Sequence, residues 1–441
     1  MGIKVAKFGG SSLADENQFK KVKAIIEADS DRRYIVPSAP GKRFSEDIKI
    51  TDMLYRCYDL AKKGENFEDD FALIEKRYND IIKALGLSLS LDADFAEIKS
   101  AMRAKVGRDY AASRGEFLNG KILAEYLGYE FIDAAEVIFF DENGKYAAEH
   151  TDYVLSDRLK NVQRAVIPGF YGNTANDTIK TFSRGGSDIT GAIVAKAAKA
   201  ELYENWTDVS GFLCADPRIV KNPRPIGLIT YRELRELSYM GATVLHEEAI
   251  FPVKSAGIPI NIRNTNSPED CGTMIVASVS SNGEEVNPNV ITGIAGKKNF
   301  SVITLEKDRM NEEVGFGRRV LEVLEHHKIC FEHMPSGIDT MSVVVDDLLL
   351  SGNKEEIIKD LYEETGADSI DVETGIALVA VAGHGMKNVR GTAAKIFTAL
   401  ADAGINIRMI DQGSSELNII VGVNNDDFEE SIRTLYAAFE N

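Results

Sequence analysis

The chain has 441 residues, 44% hydrophobic and 27% charged, enough for about three domains at ~150 residues each. Its 69 acidic residues outnumber 51 Lys and Arg, and the net charge of −18 argues against nucleic acid or an anionic membrane as the main partner. No apolar run reaches the roughly 18 residues of a membrane span and no signal-like h-region precedes the first glycines, while Cys57, Cys214, Cys271 and Cys330 form no C-x-x-C pair, so a reduced cytoplasmic protein is expected.

Residues 1–265 read as alternating strands and helices. Residues 3–8 form a short apolar strand ending in Gly9-Gly10-Ser11-Ser12. Phe19, Val22, Ile25 and Ile26 follow at helical spacing. Residues 34–38 are the next strand. Helical patterns recur over 50–63, 67–85 and 110–127, the last stopped by Gly128. Residues 164–169 run from a buried strand into a Gly-containing turn. Residues 190–200 are a small, apolar helix, and 202–206 another strand. Strands separated by helices predict a sheet covered on both faces, an α/β fold of the αβα sandwich type.

Turn-formers dominate residues 264–289, which read as a linker. Beyond them the chain repeats itself: residues 315–345 align with 391–421 at an offset of 76, without gaps. Leu321 and Leu324 match Phe397 and Leu400, Gly337 matches Gly413, and Val343 to Val345 match Ile419 to Val421. Each copy is helix, strand, tight turn, strand, and upstream strands at 301–305 and 376–382 complete two small α+β modules. So small a module buries little core alone, so the two copies are expected to pair.

Four constellations carry chemistry. Lys7-Phe8-Gly9-Gly10-Ser11-Ser12 sits at a strand-to-helix turn, where glycines admit an anion and helix-start N–H groups meet it. It is neither a Walker motif nor a Rossmann fingerprint, and a plain turn is the other reading. Ser183-Arg184-Gly185-Gly186-Ser187-Asp188 opens a second helix, with an Arg fork suited to carboxylate or phosphate. A Ser cap and a dipole partner explain Ser187 and Asp188 but not Arg-Gly-Gly. Thr207-Asp208-Val209-Ser210-Gly211, then Asp216-Pro217-Arg218, follows a strand end, a usual ligand position in an open α/β sheet. Ser113-Arg114-Gly115-Glu116 puts a carboxylate among small residues, either an ammonium partner or a solvated helix face. Two Gly-rich anion sites, a Lys, an Arg and several carboxylates in one layer suit phosphoryl transfer. None of the six histidines has metal-ligand or triad spacing, and no dedicated metal site is expected.

As an ordered set, these motifs and the repeat resemble aspartokinase, a branch of the amino-acid kinase family with a C-terminal pair of ACT domains. The resemblance covers nearly the whole chain. It implies an amino-acid-kinase-like catalytic domain over 1–265, a linker over 266–290, and ferredoxin-like ACT modules over 291–370 and 371–441, with strand exchange between them. The implied reaction moves the ATP γ-phosphoryl group to the side-chain carboxylate of L-aspartate, the first step of lysine, threonine and methionine biosynthesis. ATP is expected with Mg²⁺. By motif, Lys7, Gly9, Gly10 and Ser11 meet the phosphates. Arg184 clamps the aspartate α-carboxylate, Glu116 takes the α-ammonium, and Ser38 and Thr51 complete the substrate site. Asp188 orients the charges, and Thr207, Asp208, Leu213 and Arg218 hold the nucleotide. A regulatory amino acid, lysine with threonine as co-effector, is expected at Glu332, Ser336, Gly337, Ile338 and Asp339. A homodimer or dimer of dimers through the ACT modules follows. Two departures stand out: Thr243 occupies the position of a nucleotide-contacting Lys, and Leu213 that of an aromatic residue beside Phe212.

Overall fold

The computed structural model describes residues 2–183, 185–241, 247–278, 289–387 and 389–440. Arg184 and Thr243 lie outside the described residues. The chain divides into two units. One comprises Met1–Phe212, Pro225–Tyr231 and Val244–Glu284; the other comprises Leu213–Arg224, Arg232–Thr243 and Glu285–Asn441.

The first unit is built on eight strands: β1 (Lys4–Phe8), β2 (Arg32–Pro37), β3 (Glu130–Phe131), β4 (Ala165–Val166), β5 (Leu202–Thr207), β6 (Leu228–Thr230), β7 (Ile260–Asn264) and β8 (Thr273–Val276). Their order is β6-β8-β7-β5-β1-β2-β4-β3. Neighbours from β7 to β3 run parallel, whereas β8 runs antiparallel to β7 and carries β6 parallel to itself. Every β1 residue after Lys4 is buried, as expected of a strand covered on both faces. Alternation sends Ala6 and Phe8 one way, into a core shared with α1 (Glu16–Glu27), α2 (Ile50–Lys63), α3 (Glu68–Ala84) and α4 (Arg108–Leu127). Val5 and Lys7 point the other way, and α5 (Gly186–Ala197) also packs on β1. The expected αβα sandwich is present. Gly128, at φ 67°, ends α4 as predicted.

The stretch read as a linker differs from expectation. Residues 273–276 form β8, inserted between β6 and β7. Four strand residues flanked by turn-formers are too short for periodicity to register. Residues 279–288 lie outside the described residues.

The second unit carries one antiparallel sheet of β9 (Gly293–Glu306), β10 (Phe331–His333), β11 (Thr340–Asp346), β12 (Ser369–Ala382), β13 (Met409–Asp411) and β14 (Asn418–Asn424), ordered β10-β11-β9-β12-β14-β13. The two copies lie side by side, as the repeat predicted. The strands expected at 301–305 and 376–382 are each 14 residues long, and each serves two cores. Ile294 and Val379 pack with Ile396 and Leu400, while Ile303 packs with Val320 and Leu324, against which Val372 also lies. The sheet curls, so that His333 Nδ1 on β10 and Asp411 Oδ2 on β13 meet at 3.2 Å from opposite edges.

The helices of the two copies, Phe316–His326 and Thr392–Asp402, keep the offset of 76. The strands after them are displaced by 78, since β11 corresponds to β14. The gapless alignment therefore slips by two residues, and Gly337 is not the structural counterpart of Gly413. Because the slip is even, every apolar side chain keeps its face, which hides it in the sequence.

Parts of the catalytic region of the sequence belong to this second unit. Ala215 and Val220 are buried with Ile396 and Leu400. Ile294 N–H donates to the Cys214 carbonyl at 2.7 Å, and Arg224 pairs with Glu440 at 2.9 Å. Glu233, 1% exposed, accepts from Thr292 Oγ1 and from the His384 N–H, both at 2.6 Å. Leu213 and Arg218 thus reside in a segment anchored in a core of the second unit. There Arg218 is exposed and paired with Asp216 at 2.6 Å.

Candidate functional site

Parallel strands place β1, β2 and β5 with their C-terminal ends together, and the loops leaving them enclose a cavity of 550 Å³ in the first unit. Lys7, Gly9, Gly10, Ser11, Ser38, and Thr51 line it, as do Glu116, Asp188, Thr207 and Asp208. Residues more than 200 positions apart converge because neighbouring strands end at one edge.

Lys7 is 7% exposed at the end of β1. Its ammonium pairs with Asp188 in the first turn of α5 and donates to Asn205 Oδ1 at 3.2 Å. Asn205 Nδ2 in turn donates to Asp188 Oδ1 at 2.9 Å, and the Asp188 carbonyl accepts from Tyr203 OH at 3.0 Å. The three side chains hold one another, so the cation is oriented before any ligand arrives. Below them, Glu204 is fully buried against Arg32 at 2.6 Å and accepts the Trp206 indole N–H at 3.0 Å, fixing the end of β5.

The first Gly-rich turn differs in one detail from its expected role. The Gly9 N–H donates to the Trp206 carbonyl at 2.9 Å, so this amide extends the sheet ladder rather than facing an anion. Gly10 and Ser11 begin a short helical turn whose first amides have no carbonyl within it. Gly10 and Gly41 approach closely, and a Cβ on Gly10 would stand 2.9 Å from the Ala39 carbonyl oxygen. The Gly41 N–H donates to the Gly10 carbonyl at 2.8 Å, and a Cβ at Gly41 would stand 2.5 Å from the Gly10 carbonyl carbon. Gly41→Ala is expected to destabilise the first unit by about 1–3 kcal/mol, since backbone rather than a flexible side chain must move. Thermal unfolding measures this, and an unchanged melting temperature would contradict it.

Glu116 lies on α4, 5% exposed. Its Oε2 is buried without a hydrogen-bond partner. Burial pushes its pKa up to about 8, outweighing the Ala39 amide and the Arg114 charge, which favour the ionised form. Arg114 does not neutralise it. That guanidinium bonds Ser113 Oγ at 2.9 Å and stacks between Tyr110 and Phe117. Gly115 lets α4 approach closely: a Cβ there would stand 2.9 Å from Ala39 Cβ. A buried carboxyl with one unpartnered oxygen on a cavity wall calls for a cationic ligand group.

The structure brings together Lys7, Gly10, Ser11, Ser38 and Thr51 with Glu116, Asp188, Thr207 and Asp208. Leu213 and Arg218 belong to the other unit, and Arg184 lies outside the described residues. Sequence reading missed Asn205, Lys42 and Lys49 on the cavity wall. Asn205 directly precedes Trp206 and pairs with Lys7 across the ladder, so the period of β5 could have revealed it. Lys42 and Lys49 flank a polar loop with no motif of its own.

At the expected effector turn, the Gly337 N–H donates to the Thr340 carbonyl at 2.7 Å, closing the β10–β11 hairpin. Asp339 Oδ1 accepts the Arg309 N–H at 2.8 Å, and Glu332 bonds the Tyr239 hydroxyl. Ile338 is largely exposed.

Comparisons with known proteins agree with this geometry. Residues 2–264 match the amino acid kinase family, and residues 379–439 match the ACT domain. The chain is 37% identical to Aspartokinase 3 of Bacillus subtilis over 456 residues, covering 99% of this chain and 98% of that one. The crystal structure of Clostridium acetobutylicum aspartate kinase superposes with a TM-score of 0.91 at 54% identity, covering 100% of both chains. Escherichia coli aspartokinase III in complex with aspartate and ADP superposes at 0.75 with 25% identity, again over 100% of both chains. Its complex with lysine and aspartate gives 0.73 at 26% over the same coverage. The chain belongs to the amino acid kinase family and, within it, to the aspartokinases. No helix among the described residues is long and apolar enough to cross a membrane.

Proposed function

We propose that this cavity binds L-aspartate beside the triphosphate of ATP and transfers the γ-phosphoryl group to the aspartate side-chain carboxylate. The observation that carries the reading is the prearranged Lys7–Asp188–Asn205 cluster lining the same cavity as Glu116, whose Oε2 is buried without a partner. A carboxylate oxygen of aspartate bonds to the γ-phosphorus as the bond to the β,γ-bridging oxygen breaks. ADP leaves with that electron pair, and no proton transfer is needed. Lys7, Gly10 and Ser11 stabilise the shifting charge, while Gly9 keeps the turn against β5. Glu116 receives the α-ammonium, with Ser38 and Thr51 beside it and Arg184 on the α-carboxylate. Asp188 fixes Lys7, and Thr207 and Asp208 serve the nucleotide. ADP release that depends on aspartate tests the reading; ADP release indifferent to aspartate would overturn it.

A Mg²⁺ ion accompanying ATP would supply charge neutralisation at the phosphates, and Asp188 and Asp208 on the cavity wall are the carboxylates that would hold it. Among the described residues no group of three His, Cys, Asp or Glu could hold a metal ion. The four cysteines are free, in keeping with a cytoplasmic enzyme.

The ACT pair binds lysine, with threonine as co-effector, at the turn bearing Glu332, Ser336, Gly337, Ile338 and Asp339. The E. coli relatives support lysine as the regulatory ligand, one named lysine-sensitive and one crystallised with lysine. Inhibition requires tighter lysine binding by one state of the kinase unit. The expected assembly is a homodimer or dimer of dimers through the ACT modules. Asp339→Asn keeps the oxygen that accepts the Arg309 N–H but removes the charge. It is expected to weaken lysine binding, read by calorimetric titration; undiminished affinity would remove Asp339 from the effector site.

A further inference from the structure

We infer that Lys42 and Lys49 form a cationic clamp on the phosphoryl group in transit, presented by the buried Arg77. The inference rests on the phosphoryl-transfer reading of the cavity and names further residues for it. Both lysines line the cavity with Lys7, Gly10 and Thr51.

The charges around them are uneven. The Lys7 ammonium is already paired with Asp188. In the loop between β2 and α2, Arg43 pairs with Asp47 at 2.8 Å, and Arg77 pairs with the same carboxylate at 3.2 Å. Asp47 is consequently held well below the usual carboxylate range, Arg43 being the main cause. Among the described residues, that leaves Lys42 and Lys49 without a carboxylate. Lys42 Nζ reaches only the Ser45 carbonyl, at 3.1 Å, and Lys49 Nζ has no hydrogen-bond or ion-pair partner among the described residues.

Lys49 is also a locally disfavoured choice. It is the N-cap of α2 and makes no side-chain cap. Ser, Thr, Asp or Asn would satisfy a free amide there, whereas a cation faces the positive end of the helix dipole. An anion lying between the ammonium and the helix start removes that conflict. Residues that break a local rule are expected where function requires them.

The presentation is specific. Arg77 reaches from α3 into the loop and is 5% exposed. It donates to the Gly41 carbonyl and, at 2.9 Å, to the Ile48 carbonyl. Each of these carbonyls belongs to the residue directly before a cavity lysine. One buried guanidinium thus pins both points from which the lysines project, and such preorganised charge is most effective on a transition state. Arg77 is a positioning residue, whereas Lys42 and Lys49 touch the moving group.

The test is steady-state kinetics on the full chain. Lys49→Met is expected to lower kcat by about 10²-fold with both KM values little changed, and Lys49→Arg to recover most of it. Lys42→Met is expected to act in the same direction, less strongly. In a parallel measurement, aluminium fluoride with ADP and aspartate is expected to form a tight complex with the parent chain but not with Lys49→Met. Thermal unfolding of Lys49→Met should show no loss of stability, because a cation has left the positive end of a helix. Normal kcat and fluoride binding in Lys49→Met would overturn the clamp, as would a raised ATP KM alone or a lowered melting temperature. Lys7→Ala separates the two levels of inference. If it is inactive while Lys49→Met is normal, only the clamp fails; if both are fully active, the reading of the cavity fails with it.

Discussion

Lys7→Ala is expected to lose about 10²–10³-fold in turnover while the protein stays folded, the typical loss when one preorganised donor is removed from a transition state. In the proposed reaction the ammonium, held on the cavity wall beside Asp188, faces the negative charge that moves from the γ-phosphoryl group toward ADP. Asp188 and Asn205 hold it there before substrate arrives. Its removal leaves Asp188 on the cavity wall without its cation, which repels incoming phosphate and adds to the loss. Asn205 continues to donate to Asp188, so the fold keeps one of the two contacts. A coupled assay of ADP release at saturating ATP and aspartate reads the effect, with circular dichroism as the control for folding. Turnover near that of the parent enzyme would remove Lys7 from the mechanism.

The second large effect is a pH dependence of aspartate binding set by Glu116. Its carboxyl is buried, unpartnered at Oε2 and shifted up to about 8, so it is mainly protonated at neutral pH in the empty site. An α-ammonium against it favours the ionised form and draws the pKa down. Aspartate binding is therefore expected to release close to one proton near pH 7. Affinity should rise toward pH 8 by up to about tenfold per unit. Titration calorimetry in buffers of different ionisation enthalpy counts the proton. Glu116→Gln should bind aspartate weakly at every pH and release no proton. Binding by the parent chain without proton release would contradict the assignment. The same shift has a stability consequence of fixed sign. A carboxyl raised in the folded state contributes stability that is complete below its unfolded pKa and lost as pH climbs through about 8. Glu116→Gln is expected to flatten that decline.

Residues 213–224 and 232–243 fall within the span matched by the amino acid kinase family, yet they belong to the unit that carries the ACT modules. Ala215 and Val220 are buried among ACT core side chains, and Glu233 is held by Thr292 and His384.

Much of this protein is legible in its sequence because the signals are local. Helix periods placed α2 at residues 50–63, as observed, and Gly128 marked the end of α4 through its left-handed backbone. Lys7, Glu116 and Asp188 could be named because glycines and small residues around a charge are a short-range pattern. The 76-residue repeat marked two copies of one module, since both must bury the same apolar faces. Tertiary structure decided the rest. Residues 273–276 became a strand only because β6 and β7 offered free edges on both sides. The long strands β9 and β12 each serve two cores, which no single stretch of sequence encodes. The partnering of Lys7, the isolation of Glu116 and the carbonyls gripped by Arg77 arise from residues far apart in the chain. Periodicity and turn chemistry report what a residue does with its near neighbours. Burial, charge pairing and the approach of one loop to another depend on which distant segments share a strand edge, and only the folded chain brings those together.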